Sequence, residues 1–462
     1  MSVVSFPAHF LDHVGGLPGY DLVEFEQAHR QIPPTSIRLN PFKPVDIFMD
    51  SAPIPWSRSG RYLPARPSFT FDPLFHAGAY YVQEASSQLL EQVVLQHLAS
   101  VGSLRVLDLC AAPGGKSTHL LSLIGDAGLL VSNEVIRSRS GILADNLDKW
   151  GCANSIGTQE DPTVIGKLSG FFDLMVVDAP CSGSGLFRKD PDAMGHWSNS
   201  AVEHCAARQK RILSDSWSAL KEDGILVYST CSFSELENEQ MVNWIMEELG
   251  GEFLQLTLPD GWGITTTAAG YRCWPHRLQG EGFFLAAIRK VSAASMAGGR
   301  TKSLPQRVVG DVRTRLNDWW KFDDGAVFDW KGGLWGFPAA LASDLEWLCA
   351  HCQPLRVGTR LGEWVKEDLI PDHALALSRS VSSMWPRLEL ELDESIRYLQ
   401  RGAVEKEGLQ RGWMLVTHRS LPVGWIKSLG NRINNYYPAH LRILKQSPGS
   451  GAEKNPQLWT DA

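Results

Sequence analysis

Nothing in the 462-residue sequence approaches the unbroken apolar stretch of ~20 residues that a membrane helix requires. The first residues, MSVVSFPAHFLDHVGG, lack a basic region followed by an apolar one, so they do not read as a secretory signal. Cysteine is sparse: eight residues scattered along the chain exclude a disulfide scaffold and suit reduced thiols, so the expected location is cytoplasmic. A basic excess is missing as well. Against 44 Lys and Arg stand 51 Asp and Glu, giving a net charge of -7 and a pI near 6.0. Nucleic acid, if bound, must therefore be met by local patches and not by overall charge. One candidate patch runs from Arg401 to Lys445, with eight cations against Glu405 and Glu407; a solvated face explains the same charges equally well. There is no internal repeat and no long low-complexity tract.

What is present is a composition that is 44% hydrophobic, enough for a sizeable core spread over two or three domains. The first 72 residues are dotted with proline (Pro33, Pro34, Pro41, Pro44, Pro53, Pro55, Pro64, Pro67) and predict a small, loop-rich domain. A helical pattern follows from Glu84 to Leu98. Short apolar runs bounded by turn residues then recur at Leu104–Cys110, Leu129–Glu134, Phe171–Asp178, Gly224–Thr230 and Gly282–Arg289, and helical segments such as Ala201–Leu220 and Glu235–Leu249 lie between them. Strand alternating with helix predicts a doubly wound α/β sheet over residues 73–291. A small-residue linker is expected at 292–302, an intermediate domain at 303–378, a further β-containing module at 379–446 and a flexible tail at 447–462. The C-terminal region is rich in tryptophan. These rings suit a core, or they stack on bases beside basic residues.

Open α/β sheets bind ligands at the carboxyl ends of their strands. There, Asp108-Leu-Cys-Ala-Ala-Pro-Gly-Gly-Lys-Ser-Thr ends a strand in an acid and opens a helix through a loop of small residues, whose glycines admit a ligand close to the backbone. The loop Cys110, Ala111, Ala112, Pro113, Gly114, Gly115, Lys116 is neither a P-loop nor G-x-G-x-x-G, which argues against a polyphosphate. Glu134 ends the next strand, where an acid can hold ribose hydroxyls; Asp161 follows the third, within reach of an adenine amine; Asp178 ends the fourth. Four acids at successive strand ends suit a cationic sulfonium cofactor. Each alone also reads as a strand-end or capping carboxylate, most strongly Asp161 before Pro162.

Two cysteines sit at strand ends on the same rim, in Asp178-Ala-Pro-Cys181-Ser-Gly-Ser-Gly and Tyr228-Ser-Thr-Cys231-Ser. A lone cysteine there would more often be a small core residue; two with small polar neighbours point to thiol chemistry. Carbon 5 of cytosine is a poor nucleophile until a thiolate adds at C6, after which it can attack a methyl sulfonium. An acid that hydrogen-bonds the base would hold the adduct, and a base must then remove the C5 proton.

The segments DLCAAPGGKSTHL, DAPCSGSG, RKDPDA and YSTCSFSELENEQ resemble the Nop/Sun family of RNA cytosine-5 methyltransferases. So do Ser36-Ile-Arg-Leu-Asn, Tyr81-Val-Gln-Glu-Ala-Ser-Ser and Gly280-Glu-Gly-Phe-Phe. Leu355-Arg-Val-Gly-Thr-Arg-Leu-Gly-Glu, Pro371-Asp-His-Ala-Leu-Ala-Leu, and Pro422-Val-Gly-Trp-Ile-Lys through Asn435-Tyr-Tyr-Pro look like the C-terminal extension of the bacterial RsmF type, which ends in a PUA-like module. The N-terminal region is shorter after Lys43 than that pattern. The resemblance implies a class I methyltransferase domain at 73–291, an N-terminal RNA-binding domain at 1–72 and a PUA-like RNA-binding module at 379–446. It implies S-adenosyl-L-methionine as cofactor and RNA as partner, with 16S rRNA or the 30S subunit as substrate and the chain acting as a monomer. Cys231 matches the attacking nucleophile, and Cys181 matches the cysteine that helps release product. Cys110 to Lys116, Glu134, Asp161 and Asp178 match the cofactor contacts, and Asp178 also reaches the base. Arg188 and Lys189 are expected to meet the RNA backbone, and so are Arg38 and Asn40. No metal is expected: Cys349-Ala-His-Cys352 has zinc-like spacing but no second pair. The competing readings are the same chemistry on tRNA or 23S rRNA, a catalytically idle ribosome-assembly factor, and a dithiol redox protein.

Overall fold

Strands covered on both faces carry apolar side chains without alternation, and the central runs behave so. The computed structural model describes residues 5–99, 102–293, 305–322, 324–366 and 368–445. The expected tail 447–462 lies outside the described residues, and so does the expected linker apart from Ser292 and Ala293.

A three-stranded antiparallel sheet comes first: β1 (Thr35–Leu39) is flanked by β2 (Gly60–Leu63) and β3 (Tyr80–Val82). Five strands then pair in parallel: β4 (Arg105–Asp108), β5 (Leu129–Asn133), β6 (Ser155–Thr158), β7 (Phe172–Asp178) and β8 (Leu220–Thr230). Their spatial order is β6-β5-β4-β7-β8, so the chain reverses direction across the sheet at β4. On the β8 side the sheet continues with antiparallel β12 (Phe283–Lys290), which also pairs with β9 (Gly251–Leu254), and then with β11 (Gly270–Cys273) and β10 (Thr265–Thr267). Apolar residues of β4, β5, β7, β8 and β12 fill two cores, one on each face.

Beyond residue 304 lie β13 (Gln306–Arg307), β14 (Gly325–Trp330), β15 (Gly333–Pro338), β16 (Arg356–Val357), β17 (Thr359–Val365) and β18 (Asp368–Pro371). All but β16 form a five-stranded sheet. Strand β16 instead leaves its neighbours and pairs antiparallel with β6, with Val357 opposite Ile156, so the central sheet is sealed on that side by the C-terminal region. The Arg356 guanidinium reinforces the junction, reaching Asp148 at 2.6 Å, and Trp347 stacks on Phe171 with ring centroids 4.5 Å apart. A last sheet holds β19 (Arg387–Glu389), β20 (Gly412–His418), β21 (Leu421–Ser428) and β22 (Ile433–Asn435).

Among the described residues the C-terminal tryptophans divide: Trp319, Trp335, Trp347, Trp385 and Trp413 are partly buried and pack against the cores. Trp320, Trp330 and Trp425 are buried, while Trp364 is exposed. Cys349 lies in helix Ala342–His351 and Cys352 ends it; both are buried against the same core as Phe171. Among the described residues no helix is long and apolar enough to cross a membrane, and no group of His, Cys, Asp and Glu could hold a metal ion.

Candidate active site

The reversal at β4 opens a crevice at the strand ends, and the loop from Leu109 to Gly114 fills its floor. Gly114 takes φ 113°, a left-handed conformation that glycine adopts without strain, and starts helix Gly115–Ile124. The Ala111 amide donates to the Asn133 carbonyl at 2.9 Å, and Asn146 holds the Pro113 carbonyl at 2.7 Å, so the loop is pinned from both sides.

Asp108 closes β4 fully buried. Its Oδ2 accepts from Ser117 at 2.6 Å, whereas its Oδ1 has no partner. Burial pushes this carboxyl up to about 7, against the pull of Ser117 and of Lys116. Lys116 pairs with Asp178 at 2.8 Å, and Ser229 donates to the other Asp178 oxygen at 2.8 Å. The cleft between β3 and this loop has a volume of about 180 Å³ and is lined by Asp108, Cys110–Pro113, Lys116 and Asp178 among others. That is less than the ~300 Å³ of the smallest usual ligand cavities, so its enclosed part takes only a portion of a nucleoside cofactor. The donor set fits a cationic sulfonium group: a buried carboxylate oxygen without a partner, a second acid beside it, and a backbone cradle without phosphate-binding signature.

Glu134 is buried just past β5. Its oxygens accept from Ile136 N at 2.9 Å and Ala112 N at 3.3 Å, and Arg139 lies 3.5 Å away. Asp161 is exposed and caps helix Pro162–Ile165, accepting from Thr163 N at 3.0 Å and Thr163 Oγ1 at 2.7 Å; these bonds lower its pKa. It sits past the end of β6 but is outside the lining of the cleft. Cys110 is held protonated by burial, which drives its thiol well above the ordinary range.

Across the crevice, Cys181 follows β7 and Cys231 follows β8. Their Sγ atoms are 3.2 Å apart. Hydrogen bonding to Cys231, and then burial, pushes the Cys181 thiol well up. Close packing accounts for the second glycine of DAPCSGSG, Gly185. The Gly185 amide donates to the Cys231 carbonyl at 2.8 Å, and a Cβ on Gly185 would collide with the carbonyls of Gly282 and Cys231. Beneath the thiols lies a fully buried carboxylate absent from the expected set, Glu237.

Three expected RNA contacts are corrected. Arg38 is fully buried: it donates to Gln83 Oε1 at 2.8 Å and Thr118 Oγ1 at 2.6 Å, and its guanidinium lies 4.4 Å from the Trp150 ring centroid. Asn40 is buried and donates to the Gly78 and Trp150 carbonyls. Arg188 is buried against Glu281, at 2.9 Å, and donates to the Gly280 carbonyl at 2.6 Å. Arg38 and Asn40 do not face solvent and so do not reach a phosphate, and the Arg188 guanidinium is already committed to Glu281. Lys189, next to Arg188, is exposed and lines a groove of about 670 Å³ that shares Val82, Gln83 and Glu84 with the cofactor cleft.

Three family descriptions match the chain: "N-terminal domain of 16S rRNA methyltransferase RsmF" over residues 6–85, "16S rRNA methyltransferase RsmB/F" over 95–289 and "Methyltransferase RsmF PUA domain" over 386–443. Ribosomal RNA small subunit methyltransferase F from Erwinia tasmaniensis is 32% identical over 95% of this chain and 97% of its own length. The chain belongs to the RsmF family. Its counterpart from Vibrio atlanticus is 31% identical over 95% and 98% of the two chains. Among solved structures, a methyltransferase homolog protein from Pyrococcus horikoshii superposes with a TM-score of 0.52 at 30% identity, over 62% of this chain and 96% of that one. NSun6 from Pyrococcus horikoshii with SFG, at 18% identity and a TM-score of 0.53, shares the fold over 63% of this chain. As a member of the RsmF family the chain is an S-adenosylmethionine-dependent RNA methyltransferase, with the Rossmann-like sheet and PUA domain of that family.

Asp108 is expected to give cofactor binding by this RsmF-family enzyme a pH dependence. A cationic ligand favours the ionised carboxylate, so affinity is expected to rise with pH up to about 7 and then level off, by at most about tenfold per unit. Without ligand the sign is opposite: a carboxyl raised in the folded state contributes stability that is full below the ordinary carboxyl range and is lost as pH rises through about 7. Calorimetric titration in buffers of different ionisation enthalpy should show proton release on binding near pH 6.5. A flat affinity from pH 5.5 to 8 with no proton release would remove Asp108 from the site.

Proposed function

We propose that this enzyme methylates carbon 5 of a cytidine in 16S rRNA through a covalent bond between Cys231 and C6 of the base. The observation that carries the reading is the contact of the two thiols at 3.2 Å, on the same rim as the cofactor loop. The family supports ribosomal RNA as the substrate class: the relatives from Erwinia tasmaniensis and Vibrio atlanticus are named for the small subunit.

Residues Cys110–Lys116, Glu134, Asp161 and Asp178 are the groups that would hold S-adenosylmethionine, which supplies a methyl group on a cationic sulfur. The target cytosine must leave its stack to meet the thiols, at a cost of a few kcal/mol. The Cys231 thiolate adds to C6 and makes C5 electron-rich. Asp178, 38% exposed and held by Lys116 and Ser229, hydrogen-bonds the base and holds the adduct. Once C5 carries its methyl group, its proton passes to a base and the Cys231–C6 bond breaks. Cys181, in contact with Cys231 and with its thiol pushed well up, assists that departure by giving its proton to the leaving sulfur. Lys189, exposed at the edge of the groove, meets RNA phosphate.

The test mixes the purified protein, methyl-labelled S-adenosylmethionine, total RNA and isolated 30S particles, and then digests the RNA to nucleosides. Label in 5-methylcytidine from 16S rRNA is the expected result. The same label in tRNA or 23S rRNA keeps the chemistry and changes the substrate. Absence of label in every fraction, with cofactor binding intact, would leave an RNA-binding assembly factor.

A further inference from the structure

The residue after each cysteine is a serine, and both serines converge on one carboxylate. Glu237 Oε2 accepts from Ser182 Oγ at 2.5 Å and from Ser232 Oγ at 2.5 Å. Glu237 Oε1 accepts from the Ser182 amide at 2.8 Å and from Gln209 Nε2 at 3.2 Å. The two serine oxygens are themselves 3.1 Å apart. The backbone beneath is held too: the Tyr228 hydroxyl donates to the Glu237 carbonyl at 2.6 Å, and Asn238 donates to the Ser232 carbonyl at 2.8 Å while accepting from Thr230. Four donors on one buried carboxylate are the pattern of an ionised group, because a protonated one would have to donate in turn. Burial opposes that ionisation and leaves its pKa raised, although the serine bonds pull it back in part.

We propose that Glu237 is the positioning residue for both cysteines, clamping the loops that carry Cys181 and Cys231 at the thiol separation needed for release of the methylated product. Glu237 contacts neither thiol; it acts through Ser182 and Ser232, one peptide bond from each. A clamp on only one loop would fix that cysteine and leave the gap free. A clamp shared by both fixes the gap itself. A displacement of about 1 Å in such an arrangement costs on the order of 10²-fold in rate.

The inference rests on the reading that both cysteines react with RNA, so the experiment measures wild type and variants side by side. Glu237→Gln keeps the size and replaces one acceptor oxygen by a donor that faces either the serines or the Ser182 amide. Its expected result is a fall in turnover of on the order of 10²-fold, together with a larger fraction of enzyme held in a covalent, denaturation-resistant complex with RNA. Cofactor affinity, read by fluorescence or calorimetry, should stay within about twofold of wild type, a difference of about 0.4 kcal/mol. The double variant Ser182→Ala/Ser232→Ala, which removes the same two hydroxyl bonds from the other side, should reproduce the accumulation of complex and serves also if Glu237→Gln fails to fold. Wild-type turnover with no added covalent complex in the folded variants overturns the proposal while leaving the cysteine chemistry intact. A parallel loss of turnover, covalent complex and cofactor affinity reduces Glu237 to general support of the fold and overturns it as well. If wild type itself never forms the complex or 5-methylcytidine, it is the proposed function that fails.

Discussion

Replacing Cys181 by Ala is expected to stop the reaction after the bond to RNA has formed. The variant should accumulate a protein–RNA complex that survives denaturing electrophoresis, with turnover down on the order of 10²–10⁴-fold, the usual effect of losing a proton-transfer group. Cys231→Ala should do the opposite: no complex at any time, transfer reduced on the order of 10⁴–10⁶-fold as when a covalent nucleophile is deleted, and cofactor affinity unchanged. The asymmetry follows from the geometry. The two sulfurs touch at 3.2 Å, and the Cys181 thiol is pushed well up by its hydrogen bond to Cys231 and by burial. If Cys181→Ala turns over at the wild-type rate without a complex, or if Cys231→Ala forms one, the two roles are wrongly assigned.

The second large effect concerns stability. Arg38→Ala removes a guanidinium with no exposed surface, five non-covalent partners and no carboxylate in contact. Its donors go to Gln83, Ser122, the Gly115 carbonyl and Thr118, and its face covers Trp150. Emptying a large buried site costs about 3–5 kcal/mol, and each polar group left without a partner adds about 1–3 kcal/mol. A domain's whole margin is about 5–15 kcal/mol. The N-terminal sheet should therefore detach from helix Gly115–Ile124 and cofactor affinity should fall with it. Lysine cannot rescue, because it has no planar fork for these acceptors. Differential scanning calorimetry decides: a melting temperature unchanged within 2 °C with weaker RNA binding, where about 1 kcal/mol moves a domain of this size by 2–4 °C, would restore Arg38 as an RNA ligand. Lys189→Ala, by contrast, should leave the melting temperature alone and weaken RNA binding in a salt-dependent manner.

The parallel core was legible in the sequence because strands buried on both faces carry their signal in consecutive residues: Val106–Leu107, Leu129–Val131 and Leu174–Val177 are all buried. Element ends were less legible, since tertiary partners set them. The helix expected from Ala201 to Leu220 stops at Ser216, because Leu220 already pairs with Phe172 in the sheet. The helix expected from Glu235 starts at Glu239, because Glu237 and Asn238 are used by the cysteine loops. Both cysteines were visible as motifs, but their contact joins residues 50 positions apart, and only the fold supplies it. The misread cations show the same limit. A charge in the sequence carries no label for burial, and what buries Arg38 and Arg188 comes from Gln83, Trp150 and Glu281, far along the chain. Strand β16 was invisible for that reason too: two residues, Arg356 and Val357, have no periodicity to read.

That two-residue strand also bears on the order of events at the ribosome. Until Val357 has emerged, β6 presents bare amide and carbonyl groups along a flank of the nascent methyltransferase sheet, an invitation to pair with another chain. Some 200 residues separate the two, which at 5–20 residues per second is about 10–40 s of translation. A polypeptide released early, before residue 357, would carry its catalytic motifs complete and its sticky margin uncovered.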